Sequence, residues 1–254
     1  MKSTPRPPRH ALIVSEEDGI RYLHFGSPWV QGAMRIRRPT ELVLDYTQDM
    51  LAALLLRQGA WPKRALQIGL GTASLAKFLQ RHQPACKQTI VEIDERVVRL
   101  AAHSFRFKRT ANIRIEHGDG VAWLAESGKT FDLIFIDGFD ADAKPGKLNA
   151  RRFYATCRER LSDGGVLVVN LLRRKRGMKL GVERILTAFD NRVFVLPETE
   201  DGNTVVFAAA GKRIDLSSAT LKRRATSLRT RTGLDLRPLL DRLAARDGAP
   251  RIQL

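Results

Sequence analysis

The segment ALQIGLGTASLAKFLQRH, residues 65–82, decides the fold, because a short apolar run passes through a glycine-rich turn into a helix-like stretch. We interpret 65–69 as a buried strand and 74–82 as the helix that follows it. Gly69 and Gly71 let the backbone turn tightly and approach a ligand without a Cβ atom in the way. The third glycine of the dinucleotide-binding G-x-G-x-x-G is absent, and G-x-G alone more often marks only a turn. Whether a ligand binds here must therefore be judged from the residues at the ends of the neighbouring strands.

Apolar runs and helix-like stretches alternate through the rest of the chain. The later predicted strands are TIVEID (89–94), NIRIEHGD (112–119), FDLIFID (131–137), GGVLVVNLL (164–172), RVFVLP (192–197) and TVVFAAA (204–210). Helix-like stretches separate all but the last two, which predicts right-handed βαβ units and an open, mainly parallel α/β sheet closed by an antiparallel hairpin. In such sheets ligands bind outside the carboxyl ends of the strands.

Acidic residues stand at these predicted carboxyl ends. Glu92 and Asp94 end the second strand, where an acidic side chain typically accepts hydrogen bonds from ribose hydroxyls. We assign Glu92 to the ribose and Asp94 to the N-cap of the next helix. Asp119 and Gly120 follow the third strand, where Asp119 either accepts from an adenine amino group or caps a helix, and both interpretations stay open. With Gly71, these residues predict an adenosine-bearing ligand, and the sheet order favours S-adenosylmethionine chemistry over nicotinamide chemistry.

Three carboxylates, Asp137, Asp140 and Asp142, follow the strand FDLIFID. A strand that is apolar throughout is covered on both faces, so its last residues emerge at the ligand edge. Carboxylates so close together repel each other unless a cation or hydrogen-bond donors lie between them. Either the loop is simply solvated, or these residues bind a cationic or hydroxyl-bearing ligand. A carboxylate here can bind an ammonium group, orient it and accept its proton. Asp142 is expected to be solvated or to hold Lys144.

The composition restricts the remaining classes of function. The formal net charge is +17, concentrated in 35–39, 173–179 and 212–231, and such clusters can hold a polyanion. No aromatic residues are interleaved for base stacking, so nucleic acid is an open alternative that we do not favour. No apolar run approaches the roughly 18 residues of a membrane span. Cys86 and Cys157 have no metal-type spacing, which predicts no metal and a cytoplasmic location.

We divide the chain into four parts. They are a disordered lead-in (1–10), a small N-terminal β-domain (11–38), a Rossmann-like nucleoside-binding catalytic domain (39–211) and a basic C-terminal helical extension (212–254). EEDG gives the β-domain a hairpin turn, and a helix is predicted from Thr40 to before Trp61. LSDGGVLVVN, before the fifth strand, is typical of class I methyltransferase-type domains. The extension should pack through Leu221, Leu228, Leu234 and Leu240, leave its arginines in water and be peripheral to the chemistry.

Several of these segments together resemble the spermidine synthases, or polyamine aminopropyltransferases, over roughly residues 11–210. The segments are VQGAM (30–34), PTELVLDYT (39–47), VEIDERVV (91–98), GDG (118–120), FDLIFIDGFDA (131–141) and KLNARRFY (147–154). The resemblance implies a homodimer that transfers an aminopropyl group from decarboxylated S-adenosylmethionine to a small amine. By the resemblance of FDLIFIDGFDA to the family's D-x-x-D catalytic loop, Asp140 is the base that accepts the amine's proton, and Asp137 positions the cosubstrate. The resemblance also implies residues that contact the cosubstrate and the amine. For the cosubstrate these are Gln31, Gly69, Gly71, Thr72, Glu92, Asp119, Gly120 and Asp137, and for the amine they are Tyr46 and Asp140.

The chain also departs from that family's pattern. Thr72 stands where the family's G-G-G-D-G-G has an aspartate that is expected to hold the aminopropyl ammonium, and Gly138 and Ala141 replace the serine and proline of D-S-S-D-P. A neutral hydroxyl at position 72 tolerates the carboxylate of intact S-adenosylmethionine, which an aspartate would repel. Two alternatives therefore remain: a methyltransferase that uses intact S-adenosylmethionine, or a non-catalytic adenosine-ligand-binding paralogue with a polyanion-binding surface.

Overall fold

The structure is a computed structural model that describes residues 11–26, 29–57, 61–138, 146–172 and 177–254. Its centre is a seven-stranded sheet. The strands are β4 (Arg64–Ile68), β5 (Lys87–Glu92), β6 (Ile113–His117), β7 (Phe131–Ile136), β8 (Leu161–Leu172), β9 (Val193–Val195) and β10 (Asn203–Ala209). Their spatial order is β6-β5-β4-β7-β8-β10-β9. The first five are parallel, whereas β10 runs antiparallel to both β8 and β9, which confirms the predicted sheet and its closing hairpin.

Helices connect the successive parallel strands and cover both faces of the sheet. They are α2 (Ser74–His82), α3 (Glu95–His103), α4 (Gly120–Glu126), α5 (Arg151–Glu159) and α6 (Gly177–Ala188). Alternate residues of a strand enter different apolar clusters: on β7, Leu133 packs on one face of the sheet and Ile134 on the other. This two-sided burial explains why the central strands are apolar throughout. Because both faces are covered, polar side chains are expected where each strand ends.

The N-terminal unit is a three-stranded antiparallel sheet of β1 (Leu12–Glu17), β2 (Ile20–Phe25) and β3 (Val30–Arg35). Asp18 and Gly19 both have positive φ, as the predicted Asp-Gly hairpin turn requires. The unit packs on the large sheet through Leu23 and Met34, which share a buried cluster with Phe105 after α3. The predicted small β-domain beside a Rossmann-like sheet is therefore confirmed, while the predicted disordered lead-in, 1–10, lies outside the described residues.

The helix predicted from Thr40 begins later. α1 spans Asp45–Leu51 and continues as a single 3-10 turn, Ala52–Leu55. Leu44 is extended, and the Gln48 side-chain amide donates to the carbonyl oxygen of Leu42, so the backbone before Asp45 does not join the helix.

The C-terminal extension packs on the same core as α1. It consists of β11 (Asp215–Leu216), α7 (Ser218–Thr232), α8 (Arg237–Asp247) and β12 (Ile252–Gln253). The four leucines of the predicted apolar stripe are all buried. The expectation that the arginines stay in water is wrong for two of them. Arg224 donates to the carbonyl oxygen of Leu55 at 2.6 Å, and Arg242 forms an ion pair with Asp49 at 2.5 Å.

Candidate functional site

The glycine-rich turn lies at the carboxyl edge of the sheet and touches the end of β7. Gly69 has φ +90° and donates its amide hydrogen to the carbonyl oxygen of Val91. A Cβ atom on Gly69 would lie 2.3 Å from the carbonyl oxygen of Asp137, so no larger residue fits. Gly71 also has positive φ, +53°, and faces the backbone of Gln31 on β3. The turn is thereby held tightly between β3, β5 and β7, as a backbone that approaches a ligand requires.

Glu92 at the end of β5 holds this turn in place. Its side chain is buried, with Oε2 accepting from the amide of Leu70 at 2.7 Å and Oε1 from the amide of Asp94 at 3.0 Å. Burial raises the pKa of Glu92, and the backbone hydrogen bonds oppose that rise. Each oxygen accepts one of these bonds, and a carboxylate has about four acceptor positions, so acceptor capacity remains for ribose hydroxyls.

The next acidic residues are helix caps. Asp94 accepts from the amide of Arg96 at 2.9 Å and forms an ion pair with the Arg96 guanidinium, which confirms its predicted capping role. Asp119 caps α4 by accepting from the amide of Val121 at 2.8 Å. The capping alternative for Asp119 is therefore realised, and a contact with adenine remains a prediction. Gly120 fits closely on β4, since a Cβ atom there would lie 2.4 Å from Ile68.

Asp137, the first residue after β7, is the centre of a polar cluster. Its Oδ2 accepts from the hydroxyl of Tyr46 on α1 at 3.3 Å, and its Oδ1 accepts from Nδ2 of Asn170 on β8 at 3.0 Å. Burial raises the pKa of Asp137, and the hydrogen bonds from Asn170 and Tyr46 oppose the rise. The pKa of Tyr46 is raised well above its usual value, mainly by burial and to a smaller extent by the nearby Asp137 carboxylate. The hydroxyl therefore remains a donor at neutral pH.

Asn170 is a site residue that the sequence interpretation missed. It is 3% exposed, and its Oδ1 has no hydrogen-bond partner among the described residues. An unpaired buried acceptor beside a carboxylate is costly in the free protein and suits a ligand that donates hydrogen bonds. Its signal was visible in the sequence: Asn170 is the first polar residue after the apolar run of β8, as Asp137 is after β7.

The strand β3 packs against the glycine-rich turn, residues 69–74. The register of β3 against β2 is irregular beside Gln31, and such a bulge re-aims a strand. Thr72 is only 3% exposed because Gly32 lies directly over it, with no space for a Cβ atom between them. The Thr72 hydroxyl lies 2.9 Å from the Ser74 hydroxyl. Little of Thr72 therefore faces open space, and its predicted contact with the cosubstrate remains a prediction.

The predicted base Asp140, together with Asp142, lies outside the described residues, so its position relative to Asp137 remains a prediction. Within the described ranges, no group of three or more His, Cys, Asp or Glu residues is arranged to hold a metal ion. No helix in the same ranges has both the length and the apolar character that crossing a membrane requires.

The arrangement has two ends with different chemistry. One end, formed by the glycine-rich turn and Glu92, offers close backbone approach and hydrogen-bond acceptors, which suits the sugar of a nucleoside. The other end offers the Asp137 carboxylate and the unpaired oxygen of Asn170, which suit a cation with several N–H donors. Asp137 borders both ends because its backbone contacts Gly69.

Three comparisons with known proteins show the family and the fold. The sequence profile of the spermine/spermidine synthase domain matches residues 44–173. A polyamine aminopropyltransferase of Neisseria meningitidis serogroup A is 34% identical over 233 residues, which cover 91% of this chain and 88% of that protein.

Two solved structures share the fold. A probable spermidine synthase from Corynebacterium glutamicum superposes with a TM-score of 0.74 at 17% identity, covering 96% of this chain and 87% of that one. Human Methyltransferase-like protein 13, in complex with SAH, superposes with a TM-score of 0.66 at 23% identity, covering 75% of this chain and 93% of that one.

Proposed function

Since the chain belongs to the spermine/spermidine synthase family, we propose that it is an aminopropyltransferase that uses decarboxylated S-adenosylmethionine and a di- or polyamine. The family predicted from the sequence motifs is confirmed by the profile match and by the curated relative.

The observation that carries the proposal is the cluster around Asp137. A partly buried carboxylate with two neutral hydrogen-bond donors, Tyr46 and Asn170, has no cation paired with it among the described residues. A buried negative charge without a counter-ion is costly, so a positively charged ligand would stabilise it. Both the sulfonium cosubstrate and the protonated amine supply such a charge.

The adenosine end of the cosubstrate would lie along the glycine-rich turn. Glu92 would accept from the ribose hydroxyls, and Asp119 with Gly120 would border the adenine. Gln31 and Thr72 would approach from the side of β3. The support for this placement is the capacity of Glu92 to accept further hydrogen bonds and the backbone approach that Gly69 and Gly71 permit.

Asp140 would act as the base, and Tyr46 with Asp140 would hold the amine. An alkyl ammonium with a pKa near 10 must lose a proton before it can attack, and Asp140 would accept that proton. The amine nitrogen then forms a bond to the carbon beside the sulfur while the carbon–sulfur bond breaks. Methylthioadenosine leaves with the bonding electron pair, so the positive charge of the sulfonium is neutralised. Asp137 would hold the two reactants in line.

The test is transfer itself. The purified protein is incubated with decarboxylated S-adenosylmethionine and a panel of di- and polyamines, and methylthioadenosine and the extended amine are quantified by mass spectrometry. We expect equal amounts of the two products with at least one amine. Failure to transfer to any amine of a broad panel would contradict the proposal.

The same assay separates the two alternatives. Methylated products from intact S-adenosylmethionine would identify a methyltransferase. Binding of methylthioadenosine without transfer from either cosubstrate would identify a non-catalytic paralogue. A homodimer, a cytoplasmic location and the absence of specific nucleic-acid binding remain predictions from the sequence.

A further inference from the structure

The C-terminal extension contacts the helix that carries Tyr46. Tyr46 and Asp49 lie one turn apart on α1. The Asp49 side chain is 3% exposed, and its Oδ2 lies 2.5 Å from Nη2 of Arg242 on α8. A residue close to the end of the chain is therefore paired with the helix whose tyrosine bonds to Asp137.

A second contact holds the other end of the same segment. Arg224 on α7 donates to the carbonyl oxygen of Leu55, the last residue of the 3-10 turn that continues α1. Leu51 and Leu55 share a buried cluster with Leu221 and Leu240 of the extension. A helix of seven residues has little stability of its own, so its position depends on what packs against it.

The Asp49–Arg242 pair also depends on one specific contact. Within the described chain, Asp49 is the one polar partner of the Arg242 guanidinium, and the buried Nε of Arg242 has no partner there. Burial raises the pKa of Asp49 to about 6, and Arg242 opposes the rise. Asp49 is buried and the Arg242 side chain is partly exposed, so loss of Arg242 leaves the Asp49 carboxylate buried without its partner, which is costly.

We propose that the extension is a supporting part of the active site, in which Arg242 is a positioning residue that sets α1 through Asp49 so that Tyr46 meets Asp137. The inference rests on the proposed function in that it takes Tyr46 and Asp137 as part of the amine site. It replaces the expectation that the extension is peripheral to the chemistry. Arg242 acts through Asp49, which is the hydrogen-bond partner of its guanidinium among the described residues.

A first experiment reads the position of Tyr46 without any assay of activity. The chain has three tyrosines, so full-length protein labelled with 3-fluorotyrosine gives three ¹⁹F signals, which Tyr→Phe variants assign. We expect Arg242→Ala to move the Tyr46 signal and to leave the signals of Tyr22 and Tyr154 in place. The matched control is Arg237→Ala, because Arg237 lies on the same helix and pairs with its neighbour Asp235. An unmoved Tyr46 signal in folded Arg242→Ala overturns the inference.

A second experiment separates positioning from general damage to the fold. Arg242→Ala should lower kcat/KM for the amine by about tenfold, since small misplacements of reacting groups are costly. Its affinity for methylthioadenosine should stay within about twofold of wild type. Among the described residues, the hydrogen bonds of the Glu92 side chain and of the Gly69 amide are with backbone groups of the glycine-rich turn, of β5 and of Asp94, and none is with α8. In a Tyr46→Phe background, Arg242→Ala should lower kcat/KM little further, because the hydroxyl through which Arg242 influences the site is already absent. Fully additive losses would overturn the inference.

Two further controls keep the test decisive. If Arg242→Ala does not fold, Arg242→Lys takes its place, since lysine keeps the charge but not the planar fork of donors. We then expect a smaller movement of the Tyr46 signal in the same direction, and no movement overturns the inference. Wild-type protein that transfers no aminopropyl group would contradict the proposed function, and the ¹⁹F experiment would still decide the role of Arg242.

Discussion

The hydroxyl of Tyr46 lies 3.3 Å from Oδ2 of Asp137, although 91 residues separate them in the chain. The bond joins α1 to the end of β7 at the carboxyl edge of the sheet. Because the phenol is neutral and donates, it favours the ionised form of Asp137 against the burial that raises the pKa of this carboxyl group. A neutral donor leaves the carboxylate its full charge for a cationic ligand.

Tyr46→Phe tests this relationship. Loss of the donor should raise the pKa of Asp137 further, so the acid limb of the pH profile of kcat/KM should move to higher pH. We also expect kcat/KM at neutral pH to fall at least tenfold, as loss of a hydrogen bond to a charged group typically costs about 1.5–3 kcal/mol. Tyr22→Phe, in the N-terminal sheet, is the control. An acid limb at the wild-type pH would show that Tyr46 does not influence the ionisation that limits the rate.

Glu92→Gln tests the adenosine end of the site. Glutamine keeps the shape of the side chain but accepts more weakly than a carboxylate, and we expect the affinity for methylthioadenosine to fall at least tenfold, or about 1.5–3 kcal/mol. Calorimetry measures it directly. Glu159→Gln, at an exposed position on α5, controls for the loss of one charge. An affinity equal to wild type in folded Glu92→Gln would remove Glu92 from the nucleoside site.

Asp140→Asn tests the base. Asparagine preserves volume and hydrogen bonding but cannot accept the proton, and general-base loss typically lowers a rate by about a hundredfold to ten-thousandfold. We expect that loss in aminopropyl transfer, with nearly normal binding of methylthioadenosine. Asp142→Asn is the matched control two residues further on and should retain activity. An Asp140→Asn enzyme as fast as wild type would refute the assignment. If Asp142→Asn is the slow variant instead, Asp142 is the base.

Sequence reasoning predicted the parts of the site that follow from strand ends. Glu92, Asp94 and Asp119 could be located because each stands where a predicted parallel strand finishes, and parallel strands finish at one edge. Asn170 lies beside Asp137 at the same edge, but it was missed because β8 continues past it and the sequence looks like one continuous apolar strand. The rule therefore needed to be applied to amides as well as carboxylates.

The contacts of the extension could not be predicted in the same way. Helical periodicity identifies which face of α7 and α8 is apolar, and the burial of Leu221, Leu228 and Leu240 confirms it, whereas Leu234 is buried in the connection between the two helices. It does not identify the partner of that face. The pairing of Asp49 with Arg242 joins residues 193 positions apart and depends on how two helices dock, which no local pattern encodes. The predicted start of α1 was also wrong, because the backbone is still extended at Leu44, where the apolar spacing indicated a helix.

Lys77 gives a prediction about stability that is independent of function. It lies on α2, is almost completely buried, and donates from Nζ to the carbonyl oxygen of Phe105 at 2.9 Å. Burial lowers its pKa from 10.5 to about 7. Because the pKa is lower in the folded state, the unfolded chain binds more protons between pH 7 and 10.5. The free energy of unfolding therefore rises as the pH increases through that window, and the cost of burying Lys77 is greatest below pH 7.

Lys77→Met should remove that cost. The fall in pKa from 10.5 to about 7 corresponds to about 5 kcal/mol well below pH 7 and to about 4 kcal/mol at pH 7, where half of the folded lysine is already neutral. Loss of the hydrogen bond to Phe105 offsets about 1 kcal/mol of it. We therefore expect the variant to be more stable than wild type by about 3 kcal/mol at pH 7 and by less than about 1 kcal/mol at pH 10. Urea unfolding at the two pH values measures both differences, and Lys222→Met, exposed on α7, controls for the loss of one charge. A gain of the same size at both pH values would attribute the effect to packing instead of charge, and no gain at pH 7 would mean that water or a partner compensates the buried ammonium.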